Sequence, residues 1–505
     1  MGPPGRQRCY CRIVEVPVPT RSLPRTRTVW DLLVVGGGAA GLVAAQTARR
    51  LGARVVLVEA RSLGGECLHT GCVPSKALLH AAERERARTL RTNASGSARG
   101  LDAARRAVRA VAPHDDPARY RALGVDVRFG EARFAAPDTV KVGGDILRAR
   151  RIILATGSRP HHPEWPGLAD VPWADTDTLW SREALPHRLT VVGGGPSGCE
   201  LAQAFVRLGH EVRLLEAREG LLPGEDAEAG HLLAEILAEE GVAVETGVRV
   251  ERLERSGAEV RVVATSADGG PRTWTTDFLI LALGRRPAPG PTGLDALGVA
   301  RDAHGYLRVD PYLRTNRRAL YACGDATGPP FSTAVAGRQG WCAAANALLG
   351  PWLRFRWAKG TQSRVVYTDP EVALVGGSTP VGSFRSLKID LGEVDRALVE
   401  ERTRGFLRLN LDRRGRICGA VLVCPHAGEL AAELVRTIDD GGGAKRLLTT
   451  FRAYPSYGEI LTRGASRLFD ERWDGSLLAR VAQSLVALGR LPLPGLPTLR
   501  PRDPP

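Results

Sequence analysis

Long apolar runs are absent from this chain of 505 residues, and none approaches the ~20 uninterrupted apolar positions of a membrane-spanning helix. Lysine is scarce. It occurs at only five positions, so the net charge of +15 rests almost wholly on arginine spread along the chain. No basic block interleaved with aromatics and no nucleic-acid reader motif accompanies that charge, so a nucleic-acid partner is not expected. The nine cysteines are too few and too irregular to form a disulfide scaffold in a chain this long. No second Cys/His cluster at metal-site spacing completes a zinc site, and no metal is expected. Residues 1–28 hold a single acid, Glu15, and lack the apolar run of a signal peptide, while Pro3, Pro4, Pro17, Pro19 and Pro24 would interrupt an amphipathic helix. They read as a disordered basic extension, with Cys9 and Cys11 incidental to it. Cytoplasmic residence is the default.

What is present begins with a repeat. Asp31–Gly41 is a short apolar strand running into a G-x-G-x-x-G turn at Gly36, Gly38 and Gly41, and a helical run then leads to a second strand ending at Glu59. Leu189–Gly198 repeats the pattern with Gly193, Gly195 and Gly198, and its second strand ends at Glu216. In both units 23 residues separate the first glycine from the acid. The first glycine permits the tight turn, the second admits a pyrophosphate, and the third lets helix pack on strand. The acid then accepts from a ribose. One such motif is weak evidence, whereas two complete units predict two dinucleotide sites.

Arg151–Ser158 reads as a buried strand ending in a turn at Ala155, Thr156 and Gly157, and Asp277–Arg285 repeats it with Gly284. Leu320–Asp325 brings Gly324 and Asp325, and a helix follows over about Val335–Leu349. From Arg364 the pattern changes to alternating strands, which predicts an α+β domain. A helix-compatible segment over Ser476–Leu491 and a Pro-rich end close the chain.

Cys67 and Cys72 follow the first unit directly, in Gly64-Gly-Glu-Cys67-Leu-His-Thr-Gly71-Cys72-Val-Pro74-Ser-Lys76. Their spacing allows them to face each other across one helical turn beginning near Cys67, where the helix N-terminal field favours thiolate. Proximity to a dinucleotide site favours a redox pair over a zinc half-site or two structural cysteines.

Over roughly residues 30–465, these motifs and their order resemble the class I pyridine nucleotide-disulfide oxidoreductases. The resemblance implies an α/β chain with two Rossmann-like domains, for FAD and NAD, and a C-terminal α+β dimerisation domain. The implied division is an FAD-binding domain over 29–165 and 289–358, an NAD-binding domain over 166–288, a dimerisation domain over 359–470 and a tail over 471–505. Gly36, Gly38, Gly41 and Glu59 would hold the FAD pyrophosphate and adenosine ribose, with Asp325 at the ribityl or pyrophosphate region. Cys72 would be the charge-transfer thiol beside the flavin and Cys67 the interchange thiol that meets the substrate. Lys76 and Glu200 match a charged pair near flavin N5. Hydride would pass from the nicotinamide to the flavin and electrons onward to the cysteine pair.

Glu216 suits a free ribose 2′-hydroxyl and repels a 2′-phosphate. Ala217 and Pro223 stand where NADPH-using relatives carry Arg, so NADH is favoured over NADPH, with Arg218 the one discordant residue. Val365–Glu371 and Ala427–Glu429 resemble the dimerisation domain, which implies a homodimer. The family's His-Pro-Thr-x-x-Glu is here Tyr454-Pro-Ser-Tyr-Gly-Glu459, expected to face the partner's thiol pair. A phenol is a poor base at neutral pH, so the segment favours the mercuric-reductase-like branch, with a small acceptor of unread identity. The mercury-delivering cysteine pair is missing from the tail, since Cys424 is the last cysteine. A dihydrolipoamide dehydrogenase, another thiol-disulfide reductase or a low-turnover flavin redox sensor are the alternatives. The tail helix is amphipathic. Packing on the protein's own body is expected of it ahead of peripheral membrane contact.

Overall fold

The structure, a computed structural model, describes residues 29–88, 95–350, 352–358, 360–376, 384–474 and 476–489. The expectations for residues 1–28, Cys9 and Cys11 and for the Pro-rich end lie outside the described residues. The chain divides into two compact units, one made of residues 1–69, 108–159 and 285–357 and the other of 70–107, 160–284 and 358–505.

The first unit is built on a parallel sheet of five strands in the order Leu320–Ala322, Ile152–Leu154, Leu32–Val35, Val55–Glu59, Val125–Phe129. Alternation along its central strand explains the unbroken apolar run. Leu32 and Val34 pack with Ala44, Ala48, Ala343 and Ala347 of the helices Ala39–Arg50 and Thr333–Leu349. Leu33 and Val35 point the other way, into a core with Val140, Val142 and Leu147 of a second, four-stranded sheet. A sheet covered on both faces has no polar side to write into its sequence.

The second unit repeats the parallel architecture with the strands Trp173–Asp175, Phe278–Leu281, Arg188–Val192, Glu211–Leu215 and Ala243–Glu245. A three-stranded antiparallel sheet, Val248–Ser256, Glu259–Ser266 and Pro271–Thr276, adds a side layer. Its C-terminal part is a five-stranded antiparallel sheet in the order Ser363–Val366, Glu371–Val375, Ile417–Cys424, Phe406–Leu411, Arg385–Asp390. Ala431 and Leu434 of the helix Ala427–Asp439, and Leu461, Ala465 and Leu468 of the helix Glu459–Trp473, seal one face of it. The predicted tail helix forms over Leu477–Gly489.

Candidate active site

In the first unit the glycine turn does what its spacing predicts. Gly36 has φ +107°, and a Cβ there would lie 2.1 Å from the Ala155 carbonyl oxygen. Any side chain would push the strand ends apart. Gly41 would meet the Gly36 carbonyl oxygen at 1.8 Å, so the helix packs there only without a side chain. Gly38 is different. A Cβ on it has only the Gly65 Cα within 4 Å, at 3.7 Å, and Gly38 caps the helix Ala39–Arg50 without a side-chain bond of its own. That leaves open space at a helix N-terminus, the arrangement that takes a phosphate. Glu59 closes the loop, accepting from the Gly37 N–H at 2.6 Å and the Arg61 N–H at 2.8 Å.

The far side of this cradle carries a chain of polar groups. Ser158 donates to Asp325 at 2.8 Å and accepts from Arg285 Nε at 2.8 Å, while Arg285 also pairs with Glu66 at 3.0 Å. Burial pushes the Asp325 carboxyl up, against the pull of Ser158 and Arg285. Gly324 holds its turn at φ +69° and donates to Gln339 at 2.7 Å. Ala155 is buried beneath Gly36, and Thr156 and Gly157 follow it half-buried. Ser158, Arg285, Gln339 and Glu66 were not anticipated from sequence.

The second unit repeats the pattern of the first loop. Gly193 has φ +112° and would meet the Ala282 carbonyl oxygen at 2.4 Å, and Gly198 would meet that of Gly193 at 1.7 Å. Gly195 caps the helix Pro196–Arg207 with nothing within 4 Å of its would-be Cβ. Glu216 is buried, accepting from the Gly194 N–H at 2.6 Å and the Arg218 N–H at 2.7 Å. Gly284 closes the neighbouring strand at φ +83° and is exposed. Both loops thus fit a dinucleotide: an open cradle, free helix-end donors and an acid at the strand end.

The cysteine segment corrects one expectation. Cys67 and Cys72 do not share a helical turn. A short helix, Gly65–His69, ends before Thr70, and a second, Cys72–Arg88, begins at Cys72. The Thr70 carbonyl accepts from the Trp180 indole at 2.8 Å and the Thr70 hydroxyl donates to Asp177 at 3.1 Å, which takes Thr70 out of a continuous helix. The helix N-terminal field therefore lies at Cys72, the first residue of the longer helix, rather than at Cys67. His69 bonds the Leu63 carbonyl at 2.8 Å and so fastens the end of its own helix. Cys67 is half-buried and Cys72 exposed, whereas Cys199, Cys323, Cys342 and Cys424 are core residues. Burial pushes the Cys323 thiol up to about 12 and those of Cys199 and Cys424 higher still, which makes them inert.

Lys76, on the helix that Cys72 opens, reaches Glu200 at 2.8 Å. Glu200 is buried and accepts the Tyr367 N–H at 2.9 Å, and the Lys76 ammonium lies 4.4 Å from the centre of the Tyr367 ring. Tyr367 was read only as part of a family-like strand. It is a direct neighbour of this charged pair, and burial foremost pushes its phenol up, with Glu371, Cys72 and Glu200 adding to it.

At the C-terminal end, Tyr454 is exposed and donates to Asp395 at 2.8 Å. Arg463 bridges Asp395 at 3.3 Å to Glu459 at 2.5 Å. The second Glu459 oxygen is buried without a hydrogen-bond partner among the described residues. The Asp395 hydrogen bond and charge push the Tyr454 phenol further up from its ordinary value. Among the described residues, no group of three or more His, Cys, Asp or Glu side chains is arranged to hold a metal ion, and no helix is long and apolar enough to cross a membrane.

Two dinucleotide cradles in one chain, with a cysteine pair following the first and an antiparallel C-terminal sheet, define a two-nucleotide redox enzyme. Residues 30–340 match the family model for pyridine nucleotide-disulphide oxidoreductases, and residues 362–465 match that family's dimerisation domain. The chain is 33% identical over 452 residues to the dihydrolipoyl dehydrogenase of Thermus scotoductus, covering 87% of this chain and 97% of that one. It is 32% identical over 464 residues to the mercuric reductase of Streptomyces lividans, covering 87% and 96%. Among solved structures, a Cu(II) complex of the HOCl-induced flavoprotein disulfide reductase RclA from Escherichia coli matches with a TM-score of 0.76 at 26% identity, over 87% of this chain and 99% of that one. The chain belongs to the pyridine nucleotide-disulphide oxidoreductase family. It is an FAD-dependent enzyme that uses a pyridine nucleotide, and its C-terminal domain supports a homodimer.

Proposed function

We propose that the enzyme passes electrons from NADH through FAD to a Cys67–Cys72 disulfide and on to a small acceptor, in the manner of the mercuric-reductase-like branch. FAD, when bound, supplies hydride acceptance from the nicotinamide and electron delivery to the disulfide. The residues of this chain position and exclude. Gly36, Gly38 and Gly41, with Glu59 at the strand end, cradle one pyrophosphate and its ribose, and Ala155, Thr156, Gly157, Gly324 and Asp325 line the same cofactor. Gly193, Gly195, Gly198, Glu216 and Gly284 hold NADH, and Glu216 disfavours a 2′-phosphate. Lys76 and Glu200 form the charged pair at the reacting end of the flavin. Cys72 gains thiolate stability from its place at a helix start, and Cys67 meets the acceptor. In this reading the FAD-binding part runs over 29–165 and 289–358, the NAD-binding part over 166–288 and the dimerisation domain over 359–470.

The observation that carries the acceptor reading is the bond from the Tyr454 hydroxyl to Asp395. A phenol already spending its proton on a carboxylate, and pushed up by it, takes no proton from a thiol near neutral pH. Glu459 is held by Arg463 through one oxygen, and its other oxygen is buried. Facing the partner's Cys67, this pair offers a thiol substrate no base, so metal ions and quinones are favoured over disulfides. Copper joins the acceptors to test because the RclA relative is described as a Cu(II) complex. The test is steady-state turnover with NADH or NADPH against lipoamide, glutathione disulfide, mercuric and cupric ions and quinones. Slow lipoamide turnover that rises at least ~10-fold in Tyr454→His supports the reading, since a placed general base is worth roughly 10²–10⁴. Fast lipoamide turnover by the native enzyme overturns it, and preference for NADPH overturns the coenzyme choice.

A further inference from the structure

The helix Leu477–Gly489 follows the dimerisation domain and packs, as expected, on the protein's own body at Ala479, but most of its apolar side chains stay exposed. Ala479 is buried, but Leu477, Leu478, Val481, Leu485 and Leu488 are each between 47% and 72% exposed. At 100° per residue these five fall on one stripe about 100° wide. Arg480 and Ser484 lie to one side of that stripe and Ala482 to the other, while Val486 is exposed outside it. Helix geometry alone would let such a stripe meet a second protein or a lipid surface.

Charge decides between them. No acidic residue occurs between Asp474 and Asp503, while Arg480, Arg490, Arg500 and Arg502 fall in that interval, in a chain of net charge +15. The residues leading into the helix add Phe469 and Trp473, stacked at 5.9 Å and both exposed. Apolar stripe, basic flank and adjoining aromatics are the composition of a helix lying in the headgroup region. Thirteen residues are too few to span the hydrocarbon core.

We propose that the helix Leu477–Gly489 docks this enzyme on an anionic lipid surface, lying in the interface plane. The stripe enters the acyl boundary, and the basic charge of the sequence around it supplies the attraction to lipid phosphates. The proposal stands apart from the acceptor reading, because it rests on the helix and the tail charge alone.

The test is sedimentation of the full-length holoenzyme with vesicles of phosphatidylcholine, with and without phosphatidylglycerol. Binding is expected to the phosphatidylglycerol vesicles, weaker to phosphatidylcholine alone, and to fall with added salt. Arg480→Gln should weaken it about fivefold, the contribution of one basic residue near an anionic surface. Leu478→Glu with Leu485→Glu should weaken it at least ~10-fold, with FAD content, dimer size and NADH oxidation unchanged. Absence of sedimentation with either vesicle overturns the proposal, as does equal binding by the double variant. Conversion of the double variant from dimer to monomer also overturns it, and assigns the stripe to the second copy of the chain.

Discussion

Gly195→Ala separates the nucleotide cradle from the fold that holds it. The backbone there has φ −74° and ψ −176°, which alanine adopts freely, and the new methyl meets no atom within 4 Å. Loss of a glycine cap costs about 0.5–1 kcal/mol, and the reduced freedom of the unfolded chain returns about 0.4–1 kcal/mol. The melting temperature and FAD content are therefore expected to stay near those of the native enzyme. In the proposed assignment, the space the methyl fills is where the pyrophosphate of the nicotinamide cofactor approaches the helix start. Losing one charge-assisted hydrogen bond costs about 1.5–3 kcal/mol, which raises the NADH dissociation constant about 10- to 100-fold at ~1.4 kcal/mol per decade. Rapid-mixing measurement of flavin reduction against NADH concentration reads this directly. Gly198→Ala is the contrast, because its methyl would stand 1.7 Å from the Gly193 carbonyl oxygen. It should fold poorly. An NADH affinity within twofold of native in Gly195→Ala, or a loss of FAD there, would refute the assignment of the second loop to NADH.

Two further outcomes follow from buried charge. Lys76→Met strands the Glu200 carboxylate, whose side chain is only 6% exposed. The cost should be about 2 kcal/mol in denaturant unfolding, below the ~3–5 kcal/mol of a fully buried pair because Lys76 is itself 35% exposed. Adding Glu200→Gln should restore part of it. His210 is buried, with Nδ1 bonded to the Pro186 carbonyl at 2.8 Å, and burial holds its imidazolium form down. Its folded pKa lies below the ordinary value, so the unfolded chain takes up the proton first. Its contribution to stability is whole above about pH 6.5 and is lost as pH falls through the lowered value, by at most ~1.4 kcal/mol per pH unit. Unfolding free energies between pH 7 and pH 5 should fall less steeply in His210→Gln, and an unchanged slope would count against the assignment.

Much of the nucleotide machinery was legible because it is local. Gly36 to Glu59 and Gly193 to Glu216 each place loop, helix start and acid within one strand–helix–strand unit, so spacing alone reports their geometry. The break at Thr70 was not legible. It depends on Trp180, whose indole captures the Thr70 carbonyl from 110 residues away. The pairing of Tyr454 with Asp395 spans 59 residues and leaves no local trace. By contrast, Arg463 stands four residues beyond Glu459, and that i, i+4 spacing was there to be read. Ser158, Arg285 and Asp325 lie far apart in the chain, and they are gathered by two strand pairings, Ser158–Pro160 with Arg285–Pro287 and Ile152–Leu154 with Leu320–Ala322.

The central proposal is that Cys72 is the thiol beside the flavin and Cys67 the thiol that meets the acceptor. Absorbance of the purified, oxidised single variants tests it most directly, without any acceptor. Cys67→Ser leaves Cys72 as a lone thiolate and should show long-wavelength thiolate-to-flavin absorbance before any reductant is added. Cys72→Ser should show none, even after anaerobic NADH titration. A band in Cys72→Ser, or its absence from both the Cys67→Ser variant and the two-electron-reduced native enzyme, would contradict the claim.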